Sequence, residues 1–360
     1  MLKAALFFGV GFVILYLVYR SQNKAYQAQC ALDGVPAESC SLIQKVLEDF
    51  ASANYFWILM VLVAFTVSNI SRSVRWIMLI RPLGYEPRPI NAFLTIMLGY
   101  FTNLGLPRVG EVIRAGSLAN YEKIGVEKTM GTVVVDRMTD MATMLLAVGL
   151  AFILEFDKIL ELIGSLTSGG ESKTSLLRHP LVIGLAITGL LGLLLLYLFR
   201  KQLQKLKIYK KLENLLIGFW EGLKTILKLR SPFWYIFHSL NIWLMYYLMT
   251  YFGFLAFAPT AHLGLLPALL IFVIGAFGIL VPSPGGMGTY HLLVVAGLTG
   301  LYAIGNADAF SFANILFFSI QIGCNVLFGI IALIALPVIN RDYHPIDGPE
   351  VTAANSTVEA

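Results

Sequence analysis

Residues 280–291 read LVPSPGGMGTYH. Two prolines and three glycines stand in this stretch, yet Ile271–Ile279 before it and Leu292–Leu298 after it are strongly apolar. Proline removes a backbone donor and blocks helix continuation, and glycine weakens a helix. Inside a bilayer, broken backbone is tolerated only where protein or a water-filled cavity satisfies the freed amides and carbonyls. The stretch therefore has two readings. It is the tip of a helical hairpin lining a cavity, or it is a tight loop in water between two ordinary helices.

The surrounding composition places both readings in a membrane. Of 360 residues, 58% are hydrophobic and only 13% are charged, against about a quarter charged in soluble domains. The net charge of +5 does not point to nucleic acid, because the basic residues cluster beside apolar spans. There they are expected to face the cytoplasm and anionic lipid. The three cysteines and five histidines show no metal-ligand spacing, so no metal and no cofactor are implied. Cys324 lies in an apolar segment and reads as packing. Cys30 and Cys40 share a polar loop and are either bridged, in an oxidising compartment, or free.

Six segments are long and apolar enough to span: 3–20, 54–80, 131–154, 180–199, 232–257 and 309–337. Two more, 90–120 and 263–303, are interrupted around Pro107–Gly110 and at the opening stretch. The first span has no clear cleavage site and reads as an uncleaved anchor. Segment 200–231 carries nine Lys and Arg against Glu213 and Glu221, with apolar residues recurring at helical steps. It reads as an amphipathic helix on the cytoplasmic leaflet. The loops 21–53 and 155–179 are richer in acids and belong outside. This orientation holds only if 90–120 and 263–303 each cross an even number of times, as re-entrant hairpins do.

The expected architecture is therefore an all-α polytopic membrane protein with six full spans and two re-entrant or broken helical hairpins. Residues 1–53 hold the first span and outer loop, and 54–154 form repeat unit one. Residues 155–231 link to unit two at 232–337, and a polar tail at 338–360 reads as disordered and cytoplasmic. Each unit is span, broken hairpin, span, with opposite orientation and a shared Pro-x-x-Gly break at Pro107–Gly110 and Pro282–Gly285. Inverted repeats with matched interruptions are a signature of secondary transporters.

The stretches RVGEVIRAGSLANYEKIGVEKTMGTVVVDRMTD (108–140) and PSPGGMGTYH (282–291) together resemble the lysylphosphatidylglycerol synthase transmembrane-region family, a flippase-like, UPF0104-type group. The resemblance runs from about Phe56 to Pro337. It implies a multi-pass bacterial inner-membrane protein, and the loop charges thread it with both termini cytoplasmic. In the best-known relatives this region is joined to a soluble aminoacyl-transfer domain and moves the modified phospholipid between leaflets. No such soluble domain is expected in these residues, which leaves the substrate open.

The candidate site residues follow from charge at membrane depth, where ionisable groups usually face a cavity or a partner. Arg108, Glu111 and Arg114 recur every three residues after the first break and match the family's motif. Two arginines can fork a phosphate while Glu111 holds them in its absence. Asp136 and Asp140 share one helix face, with Arg137 beside it. That set reads either as a polar site that opens to a headgroup or as a structural ion-pair set. In unit two the candidates are Gly285, Gly286, Gly288, Tyr290 and His291, with Ser283, Thr289, Gln321 and Asn325 as neutral neighbours. The family pattern has an acid where His291 stands, so a charge-dependent role is not carried over to it. Arg72 and Arg75, with Trp76, read as anchors snorkelling at the end of span 54–80.

The leading expectation is a lipid translocase whose partner is a membrane phospholipid or lipid-linked phosphate. No GxxxxGK[ST] loop occurs, so energy would come from gradients or substrate imbalance. One alternative is an integral-membrane enzyme using Asp136 and Asp140 as acid and base. Another is an accessory subunit of an envelope-assembly complex; a homo-oligomer is also among the expected partners.

Overall fold

A computed structural model describes residues 13, 15–17, 19–24, 26–28, 30–31, 40–105, 109–158, 229–280 and 286–345. All regular structure among them is helical. The elements are α1 (Leu42–Ser52), α2 (Tyr55–Ile80), α3 (Pro89–Gly105), α4 (Val109–Glu122), α5 (Val126–Leu154), α6 (Pro232–Ala256), α7 (Leu265–Leu280), α8 (Thr289–Tyr302) and α9 (Asn306–Phe317). A seven-residue π-helical turn, Phe318–Cys324, joins α9 to α10 (Asn325–Ile339). The chain divides into two compact units, 1–148 with 231–360, and 149–230. In the second, the described residues are the last turns of α5, the short stretch to 158, and 229–230.

Among the described residues, three stretches are long and apolar enough to cross a membrane: Tyr55–Leu83, Val126–Leu154 and Asn306–Ile339. They match the expected spans 54–80, 131–154 and 309–337. The expected span 232–257 is a helix, α6, but its tyrosines, His238 and Asn241 dilute its apolar character and leave it outside that trio. Span 180–199 and the basic segment 200–228 lie outside the described residues, as does most of 3–20.

The two interrupted segments are pairs of short antiparallel helices. α3 has 17 residues and α4 has 14, or about 25 and 21 Å of helix at 1.5 Å per residue. Each falls short of the ~30 Å hydrocarbon core. Their far ends meet: the Arg88 N–H and Asn91 Nδ2 donate to Glu122 Oε1 at 3.0 and 2.6 Å. Near the break, backbones touch through glycine. A Cβ on Gly110 would collide with the Gly99 carbonyl oxygen and the Asn103 side chain. Asn103 Oδ1 accepts from the Gly110 N–H at 2.8 Å, covering a donor that the first turn of a helix leaves open.

α7 and α8 repeat the device. A Cβ on Gly278 would stand 2.7 Å from Tyr290 Cα, and the Thr289 hydroxyl donates to the Gly278 carbonyl at 2.6 Å. The connecting turn uses Gly286 and Gly288, both at φ +83°, a region that side chains with a Cβ rarely adopt. Residues 106–108 and 281–285, the remainder of both tips, lie outside the described residues.

α2 and α6 pack along their lengths. The Asn54 N–H donates to the Ala256 carbonyl at 2.8 Å, so the start of one meets the end of the other. At that same end Lys45 pairs with Asp308 at 2.8 Å and Asp49 at 2.9 Å, tying α1 to the start of α9. Cys30 and Cys40 are disulfide-bonded, and Cys324 is buried as expected. At the opposite end Asn340 meets Asn91, while Gly329 seats the Phe101 ring, so α10 runs antiparallel to α3.

Overpacking a close helix crossing costs about 1–3 kcal/mol. Gly110→Ala should therefore lower the melting temperature of the detergent-solubilised protein, whereas Gly116→Ala on the same helix, where a Cβ meets nothing within 4 Å, should not. Equal melting of the two variants would contradict the glycine contact.

Candidate functional site

One buried cluster draws together charges from three helices. Asp136, in the middle of α5, is fully buried. Its Oδ1 accepts from Arg75 Nη2 at 2.6 Å and Arg75 Nε at 2.9 Å. Its Oδ2 accepts from Arg114 Nη2 at 3.1 Å and Arg72 Nη1 at 3.3 Å. One turn along, Asp140 accepts from Arg75 Nη2 at 2.7 Å and Arg72 Nη1 at 2.8 Å. Arg72 and Arg75 come from α2, Arg114 from α4.

The next layer holds this core in place. Arg114 Nε lies 3.0 Å from Glu111 Oε2, one turn back on α4. Arg137 pairs with Glu111 and reaches Asp140 at 3.5 Å. The Arg114 guanidinium sits 5.0 Å from the Trp76 ring centroid, and Trp76 Nε1 donates to Thr132 at 2.9 Å. From α6, Tyr246 and Ser239 accept from Arg72 and Arg75 at 3.3 and 3.4 Å. The Tyr235 and Thr139 hydroxyls bond at 2.8 Å.

Four guanidinium groups thus face three carboxylates among the described residues. Arg72 Nε and Arg114 Nη1 meet no hydrogen-bond acceptor although their atoms are buried. Unmatched buried polar atoms are costly, and on the carboxylate side Glu111 Oε2 likewise meets no hydrogen-bond donor, although it lies 3.0 Å from Arg114 Nε as an ion pair. Among the described residues the cluster carries one guanidinium group more than it has carboxylates.

Several expected residues come together here: Glu111, Arg114, Asp136, Arg137 and Asp140. Arg137 is 42% exposed at the edge and Arg114 is 2% exposed at the centre. Arg108 lies outside the described residues, as do Gly285 and Ser283. Tyr290 and His291 are buried elsewhere, at the start of α8. The His291 ring stands 4.8 Å from Phe317 and 6.2 Å from Phe310.

The reading of Arg72 and Arg75 as snorkelling anchors is overturned. Both are almost fully buried, Arg75 completely, and turned onto Asp136 and Asp140. The physical reason is that partners waited on α5. A guanidinium without a carboxylate near it must reach for water, but one with two does not. A sequence signal existed: Ser68, Asn69, Ser71 and Ser73 lie beside the two arginines in a helix that is otherwise apolar. They mark a buried polar stretch, and Asn241 Nδ2 donates to Ser71 at 2.8 Å across to α6. Tyr235, Ser239 and Tyr246 were not foreseen at the site, because a hydroxyl on an aromatic-rich helix carries no spacing pattern.

These observations define a class, a polytopic helical membrane protein with a buried, arginine-rich charge site beside a broken helical hairpin. The chain belongs to the family described as the lysylphosphatidylglycerol synthase TM region, whose model matches residues 41–329. It is also similar to a UPF0104 membrane protein of Methanocaldococcus jannaschii, 29% identical over 106 residues. That match covers 29% of this chain and 32% of the relative, about a third of its length. No solved structure matches the chain.

Breaking a buried ion set by removing one partner costs about 3–5 kcal/mol, since the remaining charges stay buried and uncompensated. Asp136→Asn should therefore destabilise the protein strongly, with a large drop in melting temperature or in inserted protein. Arg137→Ala, at the half-exposed edge, should change either by little. A stable Asp136→Asn protein would show that the cluster does not hold the helices together.

Proposed function

We propose that the protein is a lipid translocase in which the Arg72/Arg75/Arg114 cluster receives the phosphate of a lipid headgroup while the acyl chains remain in the bilayer. The observation that carries this reading is the pair of buried donors, Arg72 Nε and Arg114 Nη1, in a cluster with more guanidinium groups than carboxylates. Membership in a lipid-related membrane family supports it. So does the order of helix lengths. A long helix, two short antiparallel ones and a long helix occur in 54–154, and again in 232–339. That order fits an inverted repeat with two re-entrant hairpins around a central cavity.

The enzyme alternative is weaker. An acid or base must be free to take or give a proton, and both aspartates are engaged by two or more guanidinium groups. The Cys30–Cys40 disulfide suits an oxidising exterior. The end carrying 81–88, Glu122 and Asn340 then lies in the cytoplasm, with both chain termini on that side of a bacterial inner membrane.

Purified protein in liposomes carrying headgroup-labelled anionic phospholipid tests this directly. Wild-type protein should make inner-leaflet label accessible to an impermeant quencher without chemical change to the lipid. A charge-assisted hydrogen bond is worth about 1.5–3 kcal/mol, so Arg114→Ala should slow the exchange at least about tenfold. Arg114→Lys should recover only part of it, because lysine lacks the planar fork. Wild-type exchange no faster than in empty liposomes would refute the translocase reading.

A further inference from the structure

A second polar network lies at the far end of the same hairpin, where the chain after α10 returns to it. Glu122, the last residue of α4, is 3% exposed. Its Oε1 accepts from the Arg88 N–H and Asn91 Nδ2, and its Oε2 accepts from the Tyr343 hydroxyl at 2.9 Å. Asn91 and Asn340 exchange amide hydrogen bonds in both directions at 2.8 Å. Arg88 Nη1 donates to the Ile339 carbonyl at 3.4 Å, and its guanidinium lies 4.5 Å from the Tyr343 ring centroid. Burial pushes the Tyr343 phenol up to about 12, and its hydrogen bond to Glu122 acts in the same direction. The hydroxyl therefore remains a donor across the ordinary pH range.

Two features separate this network from the rest of the packing. Its contacts are polar, and its outer side borders water: Glu122 and Asn91 are buried, but Tyr343 is only half-buried and Arg341 and Asp342 beside it are exposed. Water can take over such bonds one by one as they break, whereas parting α2 from α6 would uncover apolar surface. It also shares a helix with the charge cluster. Arg114 and Glu122 stand eight residues apart on α4, about 12 Å along its axis. Over two turns a helix moves as a rod, so a shift at Glu122 is felt at Arg114.

We propose that Asn340–Tyr343 forms a strap that holds the α3/α4 hairpin shut against α10, and that its release lets α4 draw Arg114 away from Asp136, opening the charge cluster toward the strapped end. This rests on the reading of that cluster as the anion site. Residues Asn340–Tyr343 are thereby a gate element that sets access to the site, and the structure holds them in the closed position.

Hydrogen–deuterium exchange of the full-length protein in lipid nanodiscs tests the strap without any transport assay. Tyr343→Phe, alone and with Asn340→Ala, should raise amide exchange across 109–122 about tenfold while exchange in α2 and α6 stays as in the wild type. Cysteines at Asn91 and Asn340, in a Cys324→Ala background, should be joined by a short reducible dithiol linker. That link should push exchange of α4 below the wild-type level, and reduction should restore it. The proposal is overturned if α4 exchange is unchanged in the weakened variants or unresponsive to the link. It is equally overturned if α2 and α6 loosen as much as α4, because the network would then be ordinary structural glue. If α4 responds as stated but wild-type protein moves no lipid, the strap stands and the translocase reading fails.

Discussion

The Asp136 carboxylate is the point on which the structure turns. It is fully buried and accepts from Arg72, Arg75 and Arg114, which arrive from two other helices. Apolar packing in a bilayer is nearly indifferent to helix rotation, since lipid tails are as apolar as leucine. A buried carboxylate is not indifferent, because every misaligned rotation strands a charge. The ion set therefore fixes the register of α2 and α5 and the depth of α4. It also leaves Arg72 Nε and Arg114 Nη1 unmatched, so the feature that orients the helices is the one we propose receives an anion.

Around that point the broken hairpin supplies what a straight span cannot. α3 and α4 lie antiparallel, and their contact at Gly99 and Gly110 brings backbones together without side chains between them. This places Arg114 in the charge cluster while Glu122, two turns later, is buried at the far end of the hairpin. α7 and α8 use the same construction without charge, with Gly278 against Tyr290 and positive-φ glycines at the turn. The two hairpins share a backbone solution but differ in chemistry. The first carries buried charge, Arg114 and Glu122, and the second presents an aromatic-packed histidine, His291 against Phe317.

Much of this was legible in the residues themselves. Charge depletion and apolar run lengths located the long helices, and Pro107 and the stretch at 280–291 marked both interruptions. Asp136, Asp140, Glu111 and Arg114 stood out because carboxylates and guanidinium groups at membrane depth require an explanation. What stayed hidden was pairing at a distance. Arg72 lies 68 residues from Asp140, and no local spacing rule connects them, so end-of-span arginines took their commonest local meaning. The hydroxyls of Tyr235, Ser239 and Tyr246 were invisible for a related reason, since a residue that completes another's hydrogen bonds shows no periodicity of its own. The Glu122–Asn340–Tyr343 network was likewise beyond reach, because the polar end of the chain read as a free tail.

The central claim is that the charge cluster binds a lipid phosphate. Solid-state NMR distance measurement reports on it most directly, with guanidinium 15N-labelled protein in bilayers and the natural 31P of anionic phospholipid. The account predicts a phosphorus–nitrogen dipolar contact of about 4 Å, the separation of a bidentate arginine–phosphate pair, weakened in Arg114→Lys protein and lost when Arg72 and Arg114 are both replaced by lysine, while the fold is kept. The absence of any such contact in wild-type protein, or its persistence unchanged in Arg114→Lys protein, would contradict it.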